Sequence, residues 1–271
     1  MKWKVCKSWL WAAICVMGGL AAAGWMVFSV FWMPVGCAQE DLSTRFVTET
    51  AAQNEEEPTQ KRVYLTFDDG PSPTTETVLE ILQQKQVKAT FFVIAAENNR
   101  EYLPLIRKAV EQGHQIALHS CTHDYKSIYA STTAFWADIK ELRQQIAPYV
   151  DVEKIQWIRF PGGSTNTVSH KYGGSGIMKT LKQQAEEKGY RYIDWNVCAN
   201  DAIGGHPSAN TIYHNVVDSV NDKKEVVVLM HDTKATKTTA EALPDMIDWF
   251  LEQGFEFCVL DQMGEKQPKA E

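Results

Sequence analysis

From Arg62 onward, short β-rich runs alternate with amphipathic stretches, and this alternation restricts the fold more than any other feature of the chain. The β-rich runs occupy residues 62–67, 89–94, 115–119, 156–160, 191–196, 225–231 and 255–260. Helical patterns fill the intervals at 77–86, 102–112, 133–147, 178–188, 210–220 and 240–253, with Gly113, Gly189 and Gly254 as stop signals after three of them. Apolar strands separated by helices predict a parallel sheet covered by helices. About seven such units suit a barrel or a distorted barrel better than an open sheet.

On this frame the polar residues are unevenly placed. Asp68 and Asp69 follow the first strand, and His119 and His123 end and follow the third. Arg159 closes the fourth, Asp194 and Trp195 lie in the fifth, and His231 and Asp232 end the sixth. Parallel barrels gather the C-terminal ends of their strands on one face, where active sites form. Titratable groups at so many of these ends are hard to explain by folding alone.

The first sixty residues differ from the rest. Lys2, Lys4 and Lys7 precede an uncharged, apolar run at 8–39, longer than the roughly twenty residues that cross a bilayer. Cleaved leaders carry a shorter apolar core, so the expectation is an uncleaved single-pass anchor with the remainder of the chain outside the cytoplasm. Cleavage after Ala38 and lipidation of Cys37 are the two rivals, and both also export the domain. Residues 39–61 are polar and acidic and read as a flexible linker, 62–264 as the catalytic domain and 265–271 as a tail. The chain of 271 residues carries a formal charge of −7 and no basic stripe, which argues against nucleic acid as a partner. Cys121, Cys198 and Cys258 are an odd number without a Cys-x-x-Cys spacing, so neither a disulfide framework nor a zinc knot is expected. One disulfide with a spare thiol stays open. Nothing demands a second copy of the chain, and a monomer is the expectation.

Four runs carry chemistry. In Thr66-Phe67-Asp68-Asp69-Gly70-Pro71, one carboxylate can ligate a cation while its neighbour acts as a base, although Asp-Gly-Pro also makes ordinary turns. His119 and His123, four residues apart, would share one face of a helix and could grip a divalent cation together. An Asp with two His suggests a catalytic divalent-metal site, zinc first. Arg159-Phe160-Pro161-Gly162-Gly163 offers a cation to hold a carboxylate and bare backbone amides for an oxyanion, or simply a turn. The apolar strand 226–230 delivers His231 at its end.

In this order the runs resemble the polysaccharide deacetylase (NodB-homology) family, carbohydrate esterase family 4, over roughly residues 62–260. The resemblance rests on Thr66-Phe67-Asp68-Asp69-Gly70, His119-x-x-x-His123, Arg159-x-Pro161 and Leu229-x-His231. It implies a distorted (β/α) barrel, often of seven strands, and metal-dependent hydrolysis of acetyl groups on a polysaccharide, with peptidoglycan the expected partner. Carried over, Asp69, His119 and His123 would bind zinc, or cobalt or nickel in its place. Asp68 would be the base, oriented by Arg159, and His231 the acid. The Gly162 amide would hold the oxyanion and Leu229 would line the acetyl pocket. Two departures stand out. Gly162 occupies a position where the family commonly has Tyr, so a groove wall is expected to be lost. Ala202 follows Asp201 where Trp is common; Asp201 would orient His231, and Trp195 would be either an aromatic contact surface or core. The long loop 164–176 would shape the groove, and His114, His170, His206 and His214 are expected at the surface or in loops.

Overall fold

The computed structural model describes residues 60–264. The anchor, the linker up to residue 59, Cys37 and the tail lie outside the described residues, and among those described no helix is long and apolar enough to cross a membrane.

Eight parallel strands alternate with helices. In chain order these are β1 (Arg62–Asp68), α1 (Pro73–Gln84), β2 (Thr90–Ile94), α2 (Pro104–Glu111), β3 (Gln115–Ser120), α3 (Tyr125–Ile128), α4 (Thr132–Ile146) and β4 (Trp157–Ile158). There follow α5 (His170–Gly173), α6 (Ile177–Glu187), β5 (Arg191–Tyr192), β6 (Val197–Cys198), α7 (Ala209–Val220), β7 (Glu225–His231), α8 (Lys237–Glu252) and β8 (Glu256–Phe257). The sheet order is β5-β4-β3-β2-β1-β7-β6, and β8 pairs with the start of β1. β1 is central because Val63 to Phe67 is apolar or hydroxyl-bearing throughout and fully buried, as a strand covered on both faces requires. Its register with β7 runs from Arg62 opposite Glu225 to Asp68 opposite His231. Two of the expected functional residues thus become neighbours through sheet pairing alone.

Alternation along the strands sorts the side chains into two cores. Val63, Leu65, Phe91, Leu118, Val226 and Val228 face the helices. Tyr64, Phe92, Ala117, Trp157 and Val227 form a second cluster inside the curved sheet, closed by Leu260 and Met263. Two and four residues further along those inner faces stand Thr66 and Asp68, His119, Arg159, and Leu229 and His231. The inner cluster is therefore an apolar floor, and the polar residues form the layer above it.

The run at 191–196 is not the single strand that its composition predicts. Its first two residues pair with β4 at one edge of the sheet, while Val197 and Cys198 pair with β7 at the other edge. Ile193 to Asn196 bridges the open seam between the edges. The Asn196 side chain bonds across to the Glu225 carbonyl and the Val227 amide, both at 2.8 Å. The fourth strand is likewise cut to two residues, because the chain turns at Pro161-Gly162. Helix α1 begins earlier than the periodicity predicts: Ser72 caps it, in a reciprocal pair with Thr75, and Pro73 takes the first helical position.

The turn after β1 is held tightly. Asn99 donates to the Asp69 and Pro71 carbonyls at 3.0 and 2.9 Å, and Ser72 donates to the Asp232 carbonyl at 2.5 Å. A side-chain carbon at Gly70 would overlap the buried Asp232 carboxyl group. Gly70→Ala is accordingly expected to cost roughly 1–3 kcal/mol in urea unfolding, with its effect centred on this turn.

Candidate active site

Asp69, His119 and His123 come together at the C-terminal ends of β1 and β3. One ligand-capable atom from each lies within 4.8 Å of the others. Asp69 Oδ1 is 3.4 Å from His119 Nε2 and 3.2 Å from His123 Nε2. The two histidines do not share a helical face. His119 is the fifth residue of β3, and His123 reaches the same point because the intervening chain turns, leaving His123 at φ 54°. Asp69 is also left-handed, at φ 70°. Both residues occupy backbone conformations uncommon for non-glycine side chains, which persist only when the surroundings dictate them.

The surroundings do so here. Asp138, on α4, accepts four hydrogen bonds from the turn between the histidines: from the Ser120 hydroxyl and the Cys121 amide at 2.7 Å each, and from the Thr122 amide and hydroxyl at 3.0 and 2.8 Å. His119 Nδ1 lies 2.7 Å from the Arg159 carbonyl oxygen, to which it can only donate, so its Nε2 lone pair is turned toward Asp69. Burial alone would raise the Asp69 carboxyl, but the electrostatic pull of His119, then His123 and His231, holds it well below the usual carboxylate range.

Asp68 is buried beside this cluster. Arg159, fully buried, donates Nη1 to Asp68 Oδ1 and to the Thr66 hydroxyl, both at 2.8 Å. Asp68 Oδ2 faces His119 Nε2 at 3.9 Å and has no such donor among the described residues. Nε and Nη2 of Arg159 donate to the Ile193 and Asp194 carbonyls, both at 3.1 Å, and its Cζ lies 4.1 Å from the Phe92 ring centroid and 5.7 Å from that of Trp195. Trp195 is half-buried against the inner cluster, and a side-chain carbon at Gly163 would lie 3.3 Å from its ring, so it stands between floor and loop.

Across the site, His231 Nδ1 is 2.8 Å from Asp201 Oδ1, while Asp201 Oδ2 accepts from the His231 amide at 2.7 Å and from the Thr239 hydroxyl at 2.8 Å. Burial works against a charged His231, yet the bond and charge of Asp201, with Asp68 and Asp69 beyond, push the ring up to about 9. Leu229 is buried two residues earlier on the same face of β7. Gly162 is exposed at φ 79°, and its amide has no partner among the described residues. The loop that follows is pinned by Ser164, whose amide and hydroxyl bond to Asp194 at 2.8 and 2.6 Å. A cavity of about 450 Å³ opens beside the cluster, with Asp69, His123, Asn98, Tyr102 and Lys234 in its wall.

The structure brings Asp69, His119 and His123 together, with Asp68 and Arg159 beside them and His231 with Asp201 across the site. Asp138 and Thr239 carry no signal in the sequence, since each is an isolated polar residue in a helix with no motif around it, and Asp194, noted in the fifth strand, gains its role only from the bonds to Ser164. His114 departs from expectation: it lies in the turn before β3 but is buried, edge-on to Phe91, and burial lowers its ring to about 4. Its Nδ1 accepts from the Ala89 amide at 3.2 Å, which suits a neutral ring. The three described cysteines are free thiols.

Comparison with known proteins agrees with this geometry. The polysaccharide deacetylase family model matches residues 55–193. A peptidoglycan-N-acetylglucosamine deacetylase of Bacillus cereus is 30% identical over 203 residues, covering 73% of this chain and 68% of its own length. PgdA of Listeria monocytogenes, named for the same activity, is 34% identical over 212 residues, 77% of this chain and 40% of its own. Among solved structures, the catalytic domain of peptidoglycan N-acetylglucosamine deacetylase from Eubacterium rectale ATCC 33656 matches with a TM-score of 0.71 at 35% identity, covering 79% of this chain and 93% of that one. The fold and site therefore define a parallel α/β hydrolase. The chain belongs to the polysaccharide deacetylase (NodB-homology) family, carbohydrate esterase family 4.

Two outcomes test the site as built. Asp138→Ala removes the acceptor of four hydrogen bonds and is expected to cost about 2 kcal/mol of stability in thermal unfolding. In the metal-free protein the His231 ring proton signals should titrate near pH 9, and Asp201→Asn should move the transition toward the ordinary 6.5. Because the folded value is raised, the stability that His231 contributes is complete below about 6.5 and is lost as pH rises through about 9.

Proposed function

We propose that the chain is a cation-dependent N-deacetylase acting on N-acetylglucosamine residues of peptidoglycan, or less favourably on its N-acetylmuramic acid residues. The observation that carries this reading is the division of labour within Asp68. One carboxylate oxygen is held by Arg159 and the other faces the Asp69–His119–His123 cluster with no donor among the described residues. A purely structural ion pair needs no second oxygen aimed at a ligand cluster.

The cluster suits a divalent cation. Asp69 Oδ1 is buried without a hydrogen-bond partner among the described residues, between two imidazole nitrogens. One carboxylate and two imidazoles, with room left for solvent or substrate, are the donor set of a catalytic zinc site, and cobalt or nickel would also suit it. When bound, such an ion supplies Lewis acidity, sharpening both the water and the acyl carbon for reaction.

The protein's own groups complete the hydrolysis. Asp68 Oδ2 takes a proton from the attacking water, while Arg159 keeps the carboxylate aimed. The Gly162 amide donates to the oxygen on which negative charge develops. His231, held protonated by Asp201, delivers a proton to the departing sugar amine from Nε2, the nitrogen that Asp201 leaves free. Leu229 gives the acetyl methyl an apolar neighbour. Water is consumed, the C–N bond breaks, and acetate and a free amine leave.

A glycan fixed outside the cytoplasm is the substrate that best suits the lysines and apolar run at the N-terminus, read as an anchor. Names of relatives active on peptidoglycan support the same choice.

Purified protein should release acetate from N-acetylated peptidoglycan, and a chelator should stop it. Asp68→Asn is expected to cut kcat by roughly 10²–10⁴-fold with zinc affinity kept, whereas His123→Ala loses both. Equal zinc loss in the two variants would reverse the roles of the carboxylate pair, and release from acetylated xylan alone would make the chain an O-acetyl esterase.

A further inference from the structure

A glycine at 162 leaves a gap only if nothing else fills it, and something does. A side-chain carbon built on Gly162 would lie 3.0 Å from the Tyr125 hydroxyl, 3.2 Å from its ring edge and 3.3 Å from Asn166 Cβ. The space a larger residue would claim is already held by a tyrosine from the opposite wall, two residues beyond His123. The Tyr125 ring stands edge-on to His123, with centroids 5.4 Å apart, and is tilted against Tyr129 at 5.9 Å. Tyr129 in turn donates its hydroxyl to the Pro161 carbonyl at 2.8 Å. The turn bearing Gly162 and the helix bearing Tyr125 are thus locked to each other and to one residue of the cluster.

Within this unit two donors are unused. The Gly162 amide and the Tyr125 hydroxyl each lack a hydrogen-bond partner among the described residues, although Tyr125 is half-buried and Gly162 stands beside it. Two neighbouring donors without acceptors among the described residues, one of them on a ring packed against His123 of the proposed cation site, are the arrangement that receives an oxygen gaining negative charge. A tyrosine kept only for packing would be equally served by phenylalanine.

We propose that the Tyr125 hydroxyl is a second donor to the acyl oxygen, acting with the Gly162 amide, and that its ring supplies the groove wall missing at 162. Tyr125 is then a catalytic residue placed on the histidine side of the site. This inference rests on the deacetylase reading above, and its test separates the two.

Tyr125→Phe retains the ring and its contacts with His123 and Tyr129, so zinc affinity and the circular dichroism spectrum should stay as in wild type. On peptidoglycan its kcat should fall roughly 10²-fold with KM nearly unchanged, the pattern of a contact made in the transition state. Titration calorimetry of the zinc-loaded proteins with sodium acetate should show binding about fivefold weaker in the variant, the loss of one hydrogen bond. Unchanged kcat, or a raised KM at constant kcat, overturns the proposal, the latter by reassigning Tyr125 to ground-state sugar binding. A wild type inactive on every acetylated glycan defeats the deacetylase reading instead. The acetate titration then decides alone, and equal affinities overturn the role of Tyr125.

Discussion

A single buried guanidinium ties the structure together. Arg159 bonds to the Asp68 carboxylate, the Thr66 hydroxyl and the carbonyls of Ile193 and Asp194, and its faces are covered by Phe92 and Trp195. Those carbonyls belong to the segment that spans the seam, where no strand is available to accept or donate. Removing a charge from water costs several kcal/mol, and here the cost is offset because each guanidinium edge meets an acceptor. The same residue therefore aims the proposed base and closes the sheet. Loss of Arg159 would leave a buried carboxylate and two buried carbonyls uncompensated, which is far worse than loss of an exposed ion pair.

Much of this was legible in the sequence because a parallel strand announces itself. Residues 225–231 were read to the residue, and the first and third strands end one residue beyond their expected limits. The splitting of 191–196 was not legible. Its β-forming composition is real, but the decision to leave one edge and join the other depends on hydrogen bonds donated by Arg159, more than thirty residues away, and on those the Asn196 side chain makes across the seam. Local propensity carries no trace of that.

The site divides in the same way. Residues that carry chemistry stand at strand ends, where burial and charge conflict visibly, so Asp68, Asp69, His119, Arg159 and His231 declare themselves. The pairing of His119 with His123 was anticipated for the wrong reason, as a helical face, whereas a turn with left-handed His123 brings them together. What enforces that turn is Asp138, one acidic residue among several on an amphipathic helix, indistinguishable by pattern from a solvated one. Tyr125 was hidden for a different reason. A glycine at 162 reads as an absence, and only the fold reveals which residue has moved into the space.

The two-storey interior has an electrical consequence. Beneath the carboxylate of Asp68 lies an apolar floor of Tyr64, Phe92, Trp157 and Val227, and Asp69 beside it borders the opening. A medium that polarises poorly on one side and strongly on the other directs field lines toward the mouth. The field of these carboxylates is thus biased toward solvent, the side from which any charged ligand must come.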